Sequence, residues 1–103
     1  GDMGRGSWLM AGPQTEQNQA FGSACHGAGR ALSRSAARRK INSEAKEKEL
    51  REKGIIVQAA TKNILSEEAP EAYKDVDRVI QNTAIANLAR PVLRLEPMTV
   101  IKG

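Results

Sequence analysis

Glu44-Ala45-Lys46-Glu47-Lys48-Glu49-Leu50-Arg51-Glu52-Lys53-Gly54-Ile55-Ile56-Val57-Gln58-Ala59 holds a helix, its stop signal and a strand in one run. Glu44 to Lys53 is almost wholly charged. Its Glu44–Lys48 and Glu49–Lys53 pairs stand four residues apart, where a helix brings opposite charges together. Leu50 is the only large apolar residue there, so this helix is expected to face solvent and hold no core together. Gly54 is placed to end it. Ile55 to Ala59 is a β-branched, apolar run that predicts a buried strand. Helices and strands mixed in this way, without regular strand–helix–strand alternation, give an α+β fold.

The flanks extend the pattern. Upstream, Ser33 is placed to cap a helix with Ala36, Ala37 and Ile41 on one side and Arg34, Arg38 and Arg39 mostly on the other. Asn42-Ser43 interrupts it with capping chemistry. Trp8 to Ala11 reads as a buried strand broken by Gly12-Pro13, residues 14–19 as a connecting loop, and Gly22 to Gly29 as a glycine-rich loop. Downstream, Ser66 is expected to cap a helix, with Glu67 and Glu68 near its positive end and Pro70 in its first turn. Val76, Val79, Ile80, Thr83 and Ala84 keep helical spacing, and Ile85 with Leu88 predicts a further short turn ended by Pro91. Val92 to Leu95 and Met98 to Ile101 read as extended. The expected inventory is four strands and two to three helices.

Composition narrows the class. The 103 residues allow one domain or part of one, and large rings are limited to Trp8, Phe21 and Tyr73. The net charge of +4 fits either a polyanionic partner or an ordinary basic surface. The single Cys25 excludes an intrachain disulfide framework and a paired-cysteine zinc site, and fits a reducing, cytoplasmic setting. No apolar run approaches the roughly 20 residues that span a bilayer, so no membrane partner is expected. The chain has no basic-then-apolar leader and opens inside a glycine-rich motif, which reads as the C-terminal part of a longer protein.

The chemistry is concentrated around His26, in Ser23-Ala24-Cys25-His26-Gly27-Ala28-Gly29-Arg30. Imidazoles titrate near pH 6.5, so a histidine is nucleophilic around neutrality and can attack the α-phosphorus of a nucleoside triphosphate. Gly27 and Gly29 let backbone amides approach an anion. Arg30 can pair with a phosphate or fix the loop through a carboxylate. The same residues also suit a plain turn, and the spacing alone leaves both readings open.

Phe21-Gly22-Ser23-Ala24-Cys25-His26-Gly27-Ala28-Gly29-Arg30, followed by Ser33-Arg34, resembles the histidine motif of the RtcB family of RNA-splicing ligases. Gly1-Asp2-Met3-Gly4, with Ser7 shortly after, resembles the glycine-rich turn ahead of that motif. Glu68-Ala69-Pro70-Glu71-Ala72-Tyr73-Lys74-Asp75-Val76-Asp77 resembles its acidic tyrosine segment, and Val100-Ile101-Lys102-Gly103 its C-terminus. The resemblance covers the whole chain in the family's order. It implies a C-terminal, nucleotide-binding segment over residues 1–103 of a longer ligase domain. His26 would take GMP from GTP with manganese and pass it to an RNA 3′-phosphate, commonly produced from a 2′,3′-cyclic phosphate. A 5′-hydroxyl would then join the strands and release GMP. An activating archease-type protein is an implied partner.

The resemblance also implies the site. Gly27, Ala28 and Gly29 would hold the guanylate beside His26; Gly1, Asp2 and Met3 would lie against the nucleotide, with Ser7 as a hydroxyl contact. Tyr73 would stand near the guanine and the Lys102 ammonium would face the base. Asp2 departs from the serine of the better-known members. A carboxylate there repels phosphate unless Arg5 or a metal neutralises it. Manganese prefers carboxylate, imidazole and water ligands. No second histidine exists, and Asp75 with Asp77 would diverge on a helix, so this chain is expected to supply no metal site. The resemblance places the metal ligands upstream of this region.

Arg30, Arg34 and Arg38 recur every four residues and would form one stripe along an RNA backbone if the helix began early. A solvated helix face explains them as well. The competing functions are thus a non-enzymatic RNA-binding module built on this arginine-rich helix, and a phosphohistidine carrier built on His26.

Overall fold

A computed structural model describes residues 2–13 and 20–103. The fold is α+β, with four strands and four α-helices among the described residues. The strands are β1 (Ser7–Ala11), β2 (Ile56–Ala59), β3 (Arg90–Leu95) and β4 (Thr99–Lys102). The helices are α1 (Arg34–Lys40), α2 (Ser43–Glu52), α3 (Lys62–Glu67) and α4 (Val76–Ile85), with a 3₁₀ turn at Pro70–Ala72. The loop expected at 14–19 lies outside the described residues.

The run 44–59 folds as a helix, stop and strand, but its packing differs from the sequence expectation. The Asn42 side chain caps α2, accepting from the Ala45 amide at 2.9 Å. At the far end Gly54 adopts φ +78°. Its amide donates to the Arg51 carbonyl and the Ile55 amide to the Leu50 carbonyl, each at 2.9 Å. This pairing is the Schellman stop, which commonly brings the residue after the glycine against the last helical turn. Ile55 and Leu50 accordingly pack together, with Met3 as third member and Val57 and Val100 alongside. Leu50 is 1% exposed. The helix expected to hold no core therefore anchors one, because a single leucine meets two partners from other elements.

Only one of the two expected pairs on α2 forms. Lys53 bonds Glu49 at 2.7 Å, whereas Glu44 pairs with Lys62 of α3 at 2.7 Å. Lys46 is the buried cation of this helix, held by Glu49 and Glu71. Burial alone would push its ammonium down, but the bonds to the two carboxylates outweigh this and hold it above the ordinary lysine range. Hydrogen bonds from Lys46 and Lys53 hold the Glu49 carboxyl down at about 2, against an ordinary value of 4.5. A carboxyl lowered on folding stabilises above its unfolded value and loses that contribution as pH falls through its folded value. Amide protection in α2 should therefore weaken between about pH 4.5 and 2. Hydrogen exchange across that window should show a shallower fall in Glu49→Gln.

The strands form two separate pairs. β1 runs antiparallel to β3, with Ser7 opposite Leu95, and the register shifts between Leu9 and Met10. Pro91 does not end a helix. It lies inside β3 opposite Met10, just past that irregularity, where a residue without an amide donor is tolerated. α4 stops earlier, with Ala86 as its C-cap and Asn87 at φ +55°. β2 runs parallel to β4, Ile56 opposite Thr99 and Ala59 opposite Lys102.

Among the described residues neither sheet is covered on both faces, so β1 and β2, expected to be buried, are half-buried, and β3 is mostly exposed. Leu9, Ile56, Val92, Leu93, Leu95 and Ile101 are exposed, while Ile55 is buried. Ser66 is no N-cap either. It sits in the last turn of α3, buried, and donates to the Ile41 carbonyl at 2.8 Å. Asp75 caps the following helix instead, accepting from the Asp77 amide at 2.9 Å. α3 itself is the helix beyond the expected two to three.

Candidate functional site

The stretch Glu68–Lys74 is the point on which the distant motifs converge. The N-terminal turn reaches it first. Asp2 Oδ1 accepts from the Gly4 and Arg5 amides at 3.0 and 2.8 Å, which closes the turn. Gly4 is pressed against Pro70, whose Cγ would lie 2.5 Å from any Cβ added there. Arg5 Nη1 donates to the Lys74 carbonyl at 3.3 Å and to the Tyr73 carbonyl at 3.5 Å. Met3 is 1% exposed and belongs to the core with Leu50. Asp2 Oδ2 is buried with no hydrogen-bond partner among the described residues. A spare buried acceptor suits an incoming hydroxyl or amine better than a phosphate oxygen. Gly1 lies outside the described residues.

The histidine loop reaches the same stretch through its last residues. The Lys74 amide donates to the Gly29 carbonyl at 3.0 Å, and the Ala31 and Leu32 amides to the Ala72 carbonyl at 2.8 and 3.1 Å. Arg30 fixes the loop through a carboxylate, the second of its two expected options. Its Nη1 donates to Glu68 Oε1 at 3.3 Å and to the Tyr73 hydroxyl at 3.1 Å, and its Nη2 donates to the Glu67 carbonyl. The guanidinium also lies 4.8 Å from the centroid of the Tyr73 ring. Tyr73 donates its hydroxyl to Glu68 Oε2 at 2.6 Å. From β4, Lys102 Nζ stands 3.8 Å from the same Oε2. Burial, followed by the hydrogen bond to Glu68, pushes the Tyr73 phenol above its ordinary range.

His26 stands at the other end of this arrangement. It is exposed, and with Cys25 and Gly27 it lines a cavity of about 200 Å³. Trp8 and Met10 of β1 and Val76, Val79 and Ile80 of α4 complete the walls. Trp8 is fixed by its Nε1 donating to Asp77 Oδ1 at 2.8 Å. Ser7, adjacent to Trp8 in the strand, is exposed and does not line this cavity. Gly27, Ala28 and Gly29 join the histidine to Arg30. Four residues extend at most about 14 Å of backbone, and the imidazole lines the cavity rather than the Arg30–Glu68–Tyr73–Lys102 cluster. The cavity sets apolar walls beside an exposed imidazole, and neither Tyr73 nor Lys102 lines it.

The arginine stripe takes another form. Ser33 Oγ accepts from the Ala36 amide at 3.1 Å, so α1 begins at Arg34 and Arg30 lies outside it. Arg34 and Arg38 both face Glu67, at 3.7 and 3.0 Å. Their charges are partly answered within the chain. Among the described residues no cluster of three or more histidine, cysteine, aspartate or glutamate side chains could hold a metal ion. Asp75 is a helix cap, and Asp77 serves Trp8 and Arg94. The donor set on the described residues does not fit a manganese site. No helix among them is long and apolar enough to cross a membrane.

The residue whose role sequence reasoning missed is Glu68, read above as part of a helix start and of the acidic tyrosine segment but given no place in the site. It stands five positions before Tyr73 and closes back onto it across the 3₁₀ turn. A carboxylate at that short separation is the one signal that could have marked it.

The α+β segment thus gathers a tyrosine and two cations around one carboxylate, with a glycine-framed histidine on the loop that precedes Arg30. The family model described as "tRNA-splicing ligase RtcB" matches residues 1–103. The chain is 48% identical over 103 residues to the tRNA-splicing ligase RtcB of Methanopyrus kandleri, 47% to that of Thermococcus kodakarensis and 43% to that of Methanococcus maripaludis. All of this chain is aligned in each case, but it spans only 10%, 21% and 22% of those relatives' lengths. The chain belongs to the RtcB family of RNA ligases.

Proposed function

We propose that this chain is the guanylate-accepting part of an RNA ligase, with His26 as the nucleophile. The observation that carries the reading is convergence. The glycine-rich turn, the histidine loop and the C-terminal strand are distant in sequence, yet each makes contacts on the tyrosine segment at Glu68–Lys74.

In this reading His26 attacks the α-phosphorus of GTP through a ring nitrogen. A P–N bond forms, the α–β phosphoanhydride breaks and pyrophosphate leaves. Phosphoryl transfer depends on positioning and on donors aimed at the equatorial oxygens. The loop amides after His26 are the donors this chain offers. The RNA 3′-phosphate then takes the GMP, and a 5′-hydroxyl displaces it as the strands join. Metal chemistry is assigned to no residue of this chain, and manganese would be held by other parts of the enzyme. The relatives are named for tRNA splicing, and cleaved RNA with a 2′,3′-cyclic phosphate or 3′-phosphate is the proposed substrate class.

Labelling tests the reading. A full-length enzyme carrying this segment, incubated with GTP labelled at the α-phosphate and manganese, should acquire label on His26 that acid releases and alkali does not. The 103-residue chain alone should acquire none. Labelling of the short chain at His26 would show that the metal requirement has been misassigned, and absence of label from the full-length enzyme would remove guanylylation altogether.

A further inference from the structure

We infer that Glu68 is a positioning residue, whose carboxylate sets the Tyr73 ring and the Lys102 ammonium in register with Arg30 and thereby tunes nucleotide affinity and base selectivity. The inference rests on the nucleotide-binding reading above and adds to it a residue that touches no substrate.

One carboxylate gathers groups from three separate parts of the chain. Arg30 arrives from the end of the histidine loop, Tyr73 from beyond the 3₁₀ turn and Lys102 from β4. Glu68 is only 20% exposed, so its bonds are poorly screened. Charge-assisted hydrogen bonds of this kind are stronger and more geometrically exacting than neutral ones. Lys102 has a long, flexible stem, and its only ion-pair partner among the described residues is Glu68.

The arrangement also limits what each partner can offer a ligand. The Tyr73 proton is committed to Glu68 and one oxygen lone pair to Arg30, so the hydroxyl can only accept from a ligand. The Arg30 guanidinium occupies one side of the ring, so a ligand base cannot stack on that side. Glu68 thus decides which face and which atom of Tyr73 are presented.

Charge and positioning predict opposite signs. Arg30 and Lys102 carry two positive charges and Glu68 one negative. If only the field mattered, Glu68→Gln would tighten binding of an anionic nucleotide. If Glu68 positions the cluster, the same variant loosens binding and blurs the base preference.

The experiment uses GMP and AMP, which have no leaving group, as equilibrium probes of the full-length enzyme. Glu68→Gln should weaken GMP binding by about tenfold and narrow the GMP-over-AMP preference. Tyr73→Phe, which keeps the ring and deletes the hydroxyl's links to Glu68 and Arg30, should narrow it similarly. Glu44→Gln, at an exposed carboxylate that pairs with Lys62 away from this stretch, should leave both quantities unchanged. Unchanged or tighter GMP binding with intact preference in Glu68→Gln overturns the inference, as does an intact preference in a folded Tyr73→Phe. If the unaltered enzyme shows no preference for GMP over AMP, the nucleotide-site reading itself fails, and this inference with it.

Discussion

His26→Ala in the full-length enzyme should abolish RNA joining while leaving RNA binding nearly intact. A residue that forms the covalent intermediate has no substitute within the chain, which contains no other histidine. Removing a nucleophile of this kind typically costs at least about four orders of magnitude in rate. The side chain is exposed on its loop, so its loss should cost little stability. The defect would then be chemical rather than structural. Ligation of a 2′,3′-cyclic phosphate strand to a 5′-hydroxyl strand gives the rate, and a gel-shift titration gives the binding. An RNA-binding module predicts instead that function follows Arg34 and Arg38. A phosphohistidine carrier predicts phosphate transfer without nucleotide. Retained joining in a verified His26→Ala protein would eliminate the guanylate mechanism.

Leu50→Ala should be among the most damaging substitutions away from the site. Truncating a fully buried leucine costs about 2–5 kcal/mol, because transfer energy is lost and a cavity remains. Here the cavity opens between Met3 and Ile55, the other two members of the buried cluster. Met3 belongs to the turn that carries Asp2 and presses Gly4 against Pro70. Ile55 leads into β2, which pairs with the strand carrying Lys102. One substitution would therefore loosen both the N-terminal turn and the C-terminal strand. Amide exchange at Ile55, whose N–H donates to the Leu50 carbonyl, should accelerate by at least about thirtyfold. Exchange within a factor of two of the unaltered protein would show that the cluster is not the anchor described here. Leu50→Met, nearly equal in volume, should be tolerated.

Much of the fold was legible because local signals and packing agreed. All four strands were marked by apolar runs, and Ser33, Asn42 and Gly54 were marked by cap chemistry. The failures have particular causes. α3 is short and its N-cap Thr61 makes no side-chain cap bond, so its start leaves no trace in the sequence. Ser66 looked like a cap because serine often is one, whereas its hydroxyl serves a tertiary contact to Ile41. Pro91 looked like a helix stop because the irregularity that accommodates it depends on β1. Leu50 looked stranded among charges because its partners come from elsewhere in the chain. For the site, the motifs carried the family resemblance but not their meeting point. Convergence on Glu68–Lys74 has no periodicity and follows only from the three-dimensional path.

The parallel pairing of β2 with β4 has a kinetic consequence. Hairpins close early because their strands are neighbours, but β2 and β4 have α3, α4 and β3 between them. Closing so long a loop must be completed before its contacts return any energy, which slows such pairings. Lys102 rides on β4 and reaches Glu68 only when that pairing forms. Arg30 meets Glu68 and Tyr73 across separations of 38 and 43 residues, so the whole cluster waits on long-range closure. Refolding followed by amide protection in β4 should therefore lag behind refolding followed by helix content, and the interval between them measures how long the polypeptide exists with its helices made and its last strand still unpaired.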